Sequence, residues 1–368
     1  MKFLVACGGT SGHINPALAI AGELRRRHPD AEFLFIGTPD HLEADLVPRA
    51  GYRLETVEVS GLRRRMNFSA LKHNIRSLSR FLSARRKVRS IIKEFDPDVV
   101  LGTGGYVSAP VLSQAAAMKR RTVIHEQNAY AGVTTKMLAP KVDRVLLSFP
   151  LAHPIKCDPE KCTVIGNPVK EDFLHITKEE AREQLGISPN AAYVLSYGGS
   201  LGARKVNDAF VELARLAAKE DAMILCHGAA RDYQYVSNLL KDVVSPNLQI
   251  HEYIYDMPLR MAAADVVIAR SGAMTLTELA VLGKPSILIP SPNVTENHQY
   301  FNAKGYADVG AAVLVEEKEL SGTGLYATLC DLVFDKGRLN DMERAARTLA
   351  RPAATARICD EIEALIEG

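Results

Sequence analysis

Tryptophan does not occur in the 368-residue chain, and aromatic residues make up only 6% of it. Stacking platforms for unpaired bases are therefore few. Cysteine is scarce as well: Cys7, Cys157, Cys162, Cys226, Cys330 and Cys359, most of them inside apolar runs, suit buried thiols in a reducing cytosol and not a disulfide framework. Excess charge of one sign is also missing, 45 Lys+Arg standing against 43 Asp+Glu for a net +2, so the whole chain is no polyelectrolyte. No apolar run spans a bilayer. Residues 99–118 carry no charge, but Gly102, Gly104, Gly105, Pro110 and Gln114 break them into a strand, a loop and a helix. The first apolar stretch, Phe3 to Cys7, is too short for a signal peptide, so the expected compartment is the cytoplasm. What is present is a 47% apolar share, enough to fill two cores, in a length that predicts two domains or one large α/β unit.

Short apolar or β-branched runs alternate with amphipathic segments. Strands are expected at Lys2–Cys7, Glu32–Ile36, Val99–Leu101, Thr122–His125 and Val142–Leu147. The pattern restarts with strands at Tyr193–Tyr197, Ile224–His227, Val266–Ala269, Ser286–Ile289 and Ala311–Val315. Such alternation implies doubly wound parallel sheets with ligands at the carboxyl ends of the strands. The restart is also an internal echo. Phe3–Gly12 aligns with Val194–Gly202, each a strand ending in Gly-Gly and opening a helix, and Asp98–Tyr106 aligns with Asp265–Ala273. Two matches in the same order predict two similar Rossmann-like domains. Residues 148–168, with Pro150, Pro154 and Pro159, are weakly periodic and are expected to be a linker.

A strand that ends in Gly-Gly-[Ser/Thr]-x-Gly before a helix presents backbone N–H groups and the positive end of a helix dipole, which suits an anion; such loops also turn corners with no ligand. Neither the spacing Gly-x-Gly-x-x-Gly nor an acid at the end of the second strand (Phe35-Ile36-Gly37-Thr38) is present, which disfavours NAD and FAD. The pattern Gly-x4-Gly-Lys-[Ser/Thr] is absent too, which argues against a phosphoryl-transfer ATPase. No metal site is expected: Asp96-Pro97-Asp98 reads as a turn, and Cys157 and Cys162 with His153 are one ligand short.

Several motifs converge on one family. They are Gly8-Gly9-Thr10-Ser11-Gly12-His13, Gly102-Thr103-Gly104-Gly105-Tyr106-Val107-Ser108 and His125-Glu126-Gln127-Asn128 in the first half. In the second half they are Gly166-Asn167-Pro168-Val169, Gly198-Gly199-Ser200-Leu201-Gly202-Ala203 and Asn297-His298-Gln299-x2-Asn302-Ala303. Together they resemble the MurG family, bacterial UDP-N-acetylglucosamine transferases that add the second sugar to lipid I, giving lipid II, in peptidoglycan synthesis. The resemblance covers nearly the whole chain. It implies a GT-B fold, two Rossmann-like doubly wound domains facing a central cleft. Residues 1–165 would be the acceptor and membrane-facing domain, rejoined by a C-terminal helix at 353–368, and residues 166–352 the UDP-sugar domain. It further implies inverting transfer to the C4 hydroxyl of the muramyl sugar, without metal or cofactor.

By the same resemblance, Ser200, Leu201, Gly202 and Ala203 face the UDP diphosphate, where a helix start neutralises the leaving group's charge. The backbone at Ile254 meets uracil, and Glu278 accepts from the ribose hydroxyls, although an exposed helix acid would look the same. Gln299 and Asn302 read the sugar, or merely cap their helix; His298 replaces a more usual Gln, and Lys170 an Arg, which loses the planar fork at a donor contact. Thr10, Ser11, Gly12 and Asn128 match donor-lining positions, and Gly104, Gly105 and Tyr106 match a loop that wraps the acceptor diphosphate. His13 lies in the first turn of a helix, where the dipole keeps the ring neutral and able to take a proton. It is a candidate base for the acceptor hydroxyl; Glu126 is its rival, and a structural, loop-capping His13 is the bland reading.

Residues 61–93 hold eleven cations (Arg63, Arg64, Arg65, Lys72, Arg76, Arg80, Arg85, Arg86, Lys87, Arg89, Lys93) and no acid, leaving −9 on the rest of a +2 chain. Phe68, Leu71, Ile75, Leu78 and Leu82 recur at helical spacing, giving an apolar face with basic flanks that could meet an anionic bilayer or cover a core. The expected partners are UDP-N-acetylglucosamine, the undecaprenyl-diphosphate-linked muramyl peptide (lipid I) and the cytoplasmic membrane surface, held peripherally, with no nucleic acid. The rivals are a UDP-N-acetylglucosamine 2-epimerase, a GT-B transferase with another lipid acceptor, and a non-enzymatic nucleotide-sugar scaffold.

Overall fold

A computed structural model describes residues 1–59, 68–151, 153–199, 201–219, 223–294 and 297–367, with the backbone alone at 68–80 and 82. The chain divides into two compact units, Met1–Lys170 with Ala353–Gly368, and Glu171–Pro352. The first unit runs on through Gly166–Lys170 and does not stop at residue 165.

The first unit is built on seven parallel strands: β1 Lys2–Ala6, β2 Glu32–Gly37, β3 Arg53–Thr56, β4 Val99–Gly102, β5 Arg121–Glu126, β6 Arg144–Leu147 and β7 Cys162–Val164. Their order is β3-β2-β1-β4-β5-β6-β7, so the winding reverses between β1 and β4 and opens a crevice at their carboxyl ends. β1 from Phe3 onward and β4 are apolar because both faces are covered. Phe3, Val5, Val99 and Leu101 point into one core with Ile14, Ala17 and Ile20 of the helix Ser11–Arg27. Leu4, Ala6, Val100 and Ile124 point the other way, against Val111 and Leu112 of the helix Gly105–Ala117 and Val88 and Ile92 of the helix Phe68–Phe95. In this last helix Ala84, Val88, Ile91, Ile92 and Phe95 are buried while Arg86, Lys87, Arg89 and Lys93 are exposed, so its second half covers a core. Arg63, Arg64 and Arg65, and the side chains of Phe68, Leu71, Lys72, Ile75, Arg76, Leu78, Arg80 and Leu82, lie outside the described residues.

The stretch 148–168 is no free linker. It contributes β7, which pairs with β6 at the sheet edge, and Asn167 is buried against the unit. The last helix, Ala354–Glu367, also belongs here: Ala354, Ile358, Cys359 and Ile362 join the core under the helix Ser11–Arg27. Arg27 clamps it through Asp360 (2.7 Å) and Glu363 (2.6 Å), and His28 meets Glu363 at 2.8 Å.

The second unit repeats the plan with six parallel strands: β8 Ala192–Tyr197, β9 Met223–Gly228, β10 Leu248–His251, β11 Val266–Ala269, β12 Ser286–Leu288 and β13 Ala312–Leu314. The order β10-β9-β8-β11-β12-β13 puts its reversal between β8 and β11, the counterparts of β1 and β4. Val194, Leu225, Val266 and Ile268 pack on Val206, Phe210 and Leu213 of the helix Arg204–Ala217. The two doubly wound Rossmann-like sheets that the repeat predicted are both present, in the GT-B pattern. Among the described residues no helix is long and apolar enough to cross a membrane.

Candidate active site

In the first unit the crevice is lined by two glycine loops that touch. Gly104 and Gly105 follow β4 with φ of 104° and 77°, left-handed torsions that favour glycine. A Cβ on Gly105 would stand 2.3 Å from the Gly8 carbonyl oxygen, and one on Gly104 2.6 Å from Cδ2 of His13. These glycines let the loop after β4 lie against the loop after β1. Thr103 donates to the His13 carbonyl at 2.6 Å and Thr134 to the Gly105 carbonyl at 3.2 Å, fixing the approach. Tyr106 points outward and is 55% exposed.

Thr10 is the N-cap of the helix Ser11–Arg27, with no side-chain capping bond and no acid in the first turn, so the amides of Ser11, Gly12 and His13 start a positive helix end. The half-buried His13 ring puts Nδ1 3.1 Å from the Gly8 carbonyl and 3.4 Å from the Thr10 hydroxyl. A carbonyl only accepts, so Nδ1 carries the proton and Nε2 keeps its lone pair. Burial holds the His13 pKa below the usual histidine value, against the pull of Glu126, the Gly8 hydrogen bond and Glu43.

Glu126 ends β5 and is buried, with both oxygens occupied. Oε2 accepts from the Gly132 amide (2.9 Å) and the Thr135 hydroxyl (2.5 Å), and Oε1 from the Asn128 amide (3.2 Å) and side chain (3.4 Å). Beside it His125 is wholly buried. Its Nε2 donates to the Gly166 carbonyl at 3.0 Å, and Gln127 donates to its Nδ1 at 3.0 Å. Burial pushes this ring down to about 4, so it stays neutral. Ser148 and Asn167 complete the network, the serine donating to Asn167 Oδ1 at 2.6 Å and Asn167 to the Gln127 carbonyl at 3.2 Å. Lys170 is half-buried at the end of this segment.

Glu43 escaped the sequence reading. Its carboxylate is fully buried beneath the loop after β1 and accepts from the Gly9 amide (3.0 Å), the Thr38 amide (2.9 Å) and the Thr38 hydroxyl (2.5 Å). An acid at the start of a short helix that also holds Asp45 gives no signal of this; the glycines at positions 8 and 37, between which it fits, are the trace.

In the second unit the loop after β8 opens the helix Arg204–Ala217. Gly199 and Gly202 take φ of 87° and 76°, and Gly202 N–H closes a turn on the Gly199 carbonyl at 2.9 Å. Ala203 is the N-cap, without a side-chain cap, and the first turn holds no acid, so Arg204, Lys205 and Val206 present amides that the helix cannot satisfy. Leu201 is exposed, and Ser200 lies outside the described residues. Beneath the helix start, Asn207 donates to the Ala229 carbonyl (3.2 Å) and Asp232 (3.0 Å) and accepts from His227 (3.0 Å), whose other nitrogen faces Ser196 (3.0 Å). The His227 ring stacks on Phe210 and is lowered by burial to about 3.

Ile254 is buried over the end of β9, its Cδ1 3.1 Å from where a Cβ on Gly228 would be. Glu278 is buried on the helix Ala273–Leu282, which follows β11. Gln299 and Asn302 open the helix His298–Asp308 and are tied to neighbouring strand ends. Gln299 Oε1 accepts from the Ser291 amide (2.9 Å), and Asn302 donates to the Ser271 carbonyl (3.1 Å). Among the described residues the amide of Gln299 keeps its donors and that of Asn302 its carbonyl, the groups sugar hydroxyls need. Among the described residues no cluster of three or more His, Cys, Asp or Glu could hold a metal.

Thus Thr10, Ser11, Gly12, His13, Gly104, Gly105, Glu126 and Asn128 gather at the crevice of the first sheet, and Leu201, Gly202, Ala203, Ile254, Glu278, Gln299 and Asn302 belong to the second unit. The model of the glycosyltransferase family 28 N-terminal domain matches residues 3–147, and that of its C-terminal domain residues 193–358. A UDP-N-acetylglucosamine–N-acetylmuramyl-(pentapeptide) pyrophosphoryl-undecaprenol N-acetylglucosamine transferase of Acetivibrio thermocellus is 42% identical over 368 residues, covering 100% of this chain and 99% of the relative. The crystal structure of Acinetobacter baumannii MurG is similar with a TM-score of 0.69 at 27% identity, over 98% of this chain and 99% of that one. A UDP-GlcNAc 2-epimerase from Neisseria meningitidis, solved with UDP-GlcNAc, reaches a TM-score of 0.64 over 100% of both chains at 15% identity, a likeness of fold alone. Two domain models in the right order and full-length kinship at this identity leave one assignment: the chain belongs to glycosyltransferase family 28 and, within it, to the MurG family of UDP-N-acetylglucosamine transferases.

Proposed function

We propose that this protein transfers N-acetylglucosamine from UDP-N-acetylglucosamine to the C4 hydroxyl of the muramyl sugar of lipid I, with inversion, giving lipid II. The observation that carries the reading is the 42% full-length identity to a transferase whose name states both substrates. The geometry supports it. In the second unit the uncapped helix start at Ala203 offers amides to the diphosphate, where negative charge grows as UDP departs. Glu278 suits the ribose diol, the backbone at Ile254 the base, and Gln299 with Asn302 the sugar. In the first unit Tyr106 and the loop of Gly104 and Gly105 take the acceptor diphosphate.

His13, and not Glu126, is the base in this reading. The neutral ring shows an Nε2 lone pair, whereas each oxygen of Glu126 already accepts from donors of its own loop. Nε2 takes the hydroxyl proton as the oxygen attacks the anomeric carbon from the face opposite UDP, which leaves with the bonding electrons. The basic segment 61–93 holds the enzyme peripherally on the cytoplasmic face of an anionic membrane, bringing it to a lipid-linked acceptor.

The test is UDP release on mixing the protein with UDP-N-acetylglucosamine and lipid I, with UDP-glucose and UDP-N-acetylgalactosamine as competitors. No release, or no preference for the N-acetylglucosamine donor, defeats the reading. Flotation with anionic and neutral liposomes tests the membrane part, which fails if lipid charge makes no difference.

A further inference from the structure

We propose that Glu43 is a positioning residue for the base: its carboxylate, the Gly8–Gly9 peptide group and the His13 imidazole form one hydrogen-bonded chain that presents Nε2 and answers the positive charge that forms on the ring. The inference rests on the reading of His13 as the base. Its geometry is independent of that reading.

The Gly8 carbonyl and the Gly9 amide are two ends of one peptide group. His13 Nδ1–H donates to the first at 3.1 Å, and the second donates to Glu43 Oε2 at 3.0 Å. A carboxylate pulling on the N–H polarises the peptide and makes its carbonyl a stronger acceptor, so the two bonds reinforce each other. The arrangement does with a peptide in the middle what a carboxylate bonded directly to an imidazole does elsewhere: it fixes the tautomer and favours the protonated ring.

Three further observations point the same way. The other oxygen of Glu43 accepts from the Thr38 amide and hydroxyl at 2.9 and 2.5 Å, so the group is the acceptor in every bond it makes, as an ionised carboxylate must be. Glu43 is wholly buried, and among the described residues no Lys or Arg makes an ion pair with it. A buried carboxylate is costly to keep without a cation, and the imidazolium formed on proton transfer supplies one. The backbone is also cut to fit: a Cβ on Gly8 would lie 2.5 Å from Glu43 Oε1, and one on Gly37 2.6 Å from its Cγ.

The proton balance is simple. The O–H bond of the acceptor breaks, an Nε2–H bond forms, and Nδ1–H stays on the ring. Glu43 gains no proton. The titratable groups acting on the ring are Glu126, from the end of β5, and Glu43, from the helix Glu43–Arg49; the charge of Glu43 also acts on Cys7, which ends the run that starts in β1, and adds to the burial that pushes that thiol up. Both carboxylates favour the protonated ring against the burial that opposes it. Removing the charge of Glu43 therefore makes His13 harder to protonate and moves the acidic limb of the kcat profile to lower pH.

The experiment compares wild type, Glu43→Gln and His13→Gln in the transfer assay across pH. Glu43→Gln keeps the shape of the side chain. It is expected to lower kcat about tenfold, a part of what a general base supplies, to leave the KM for UDP-N-acetylglucosamine unchanged, and to shift the acidic limb down. A loss of kcat with the limb unmoved marks a mere loop brace and overturns the proposal, as does an unchanged kcat. If His13→Gln retains turnover, the base assignment itself has failed; if only Glu43→Gln is silent, the base stands and the chain falls. Should Glu43→Gln not fold, 15N spectroscopy of the wild-type imidazole decides: the neutral ring must carry its proton on Nδ1, and finding it on Nε2 refutes the chain.

Discussion

Replacing Gly198 with alanine tests the donor loop most directly, because the insult falls on one backbone amide. The new Cβ would lie 2.6 Å from the amide nitrogen of Ala203 and 2.8 Å from its Cβ. Ordinary contact begins at 3.4 Å, so the loop must open by about 0.8 Å. In the proposed reading the displaced atom begins the row of helix-start amides that would meet the diphosphate. A hydrogen bond stretched from about 2.9 Å by that amount is no longer one. A hydrogen bond to a charged group contributes about 1.5–3 kcal/mol, which is roughly ten- to a hundredfold in affinity. Titration calorimetry with UDP should show that loss in Gly198→Ala. Gly199→Ala is the comparison. Its Cβ meets nothing within 4 Å, but φ is 87°, so its cost is torsional, about 1–2 kcal/mol, and appears as a lower unfolding midpoint. A folded Gly198→Ala protein that binds UDP as tightly as wild type refutes the amide cradle.

Acid should loosen both units through histidines that stay neutral when folded. Burial lowers His125 to about 4 and His227 to about 3, whereas both take a proton near pH 6.5 once unfolded. The unfolded state therefore binds more protons below pH 6.5; stability is complete above that value and falls as pH drops toward about 4. Urea unfolding at pH 7 and pH 5 should differ by about 2 kcal/mol for each histidine, and equal midpoints would contradict this. Ile358→Ala empties a wholly buried position between the last helix and the helix Ser11–Arg27 and should cost about 2–5 kcal/mol; a thermal melt within a degree of wild type would detach that helix from the core. Ser286 buries a hydroxyl with no partner among the described residues. Ser286→Ala should therefore leave the urea midpoint unchanged or raise stability by up to about 1 kcal/mol, and a clear loss would mean that the hydroxyl is bonded after all.

The three strands that the sequence did not announce all stand at sheet edges, although the fourth edge strand, β13, was expected at Ala311–Val315 and is present. β1, β4, β5, β8 and β11 are buried on both faces and flanked by strands on both sides, so mostly apolar runs satisfy them, the buried Thr122, His125, Glu126 and Ser196 among them being hydrogen-bonded. β3, β7 and β10 are three or four residues long and stand at sheet edges. One side of an edge strand pairs with nothing, and Arg53-Leu-Glu-Thr or Leu-Gln-Ile-His meets that demand without an apolar run. This is also why residues 148–168 looked like a linker while holding β7.

The site was legible to the extent that glycine was. Gly-Gly after a strand announces a loop that helix-start amides can share with an anion, and both such loops are where the spacing put them. What a glycine makes room for is a different matter, because its partner is distant in the chain. Gly105 admits the Gly8 carbonyl, Gly104 the His13 ring, and Gly8 with Gly37 the side chain of Glu43. The contact between Glu43 and Gly9 spans 34 positions. In a sequence, an acid inside Leu42-Glu43-Ala44-Asp45 is assigned by default to solvent, since acids are almost never fully buried. Only the three donors that converge on it reverse that default. Glycines near a suspected base are therefore better read as spaces to be filled than as flexibility, and the residue filling them is to be sought among the acids that composition alone would place in water.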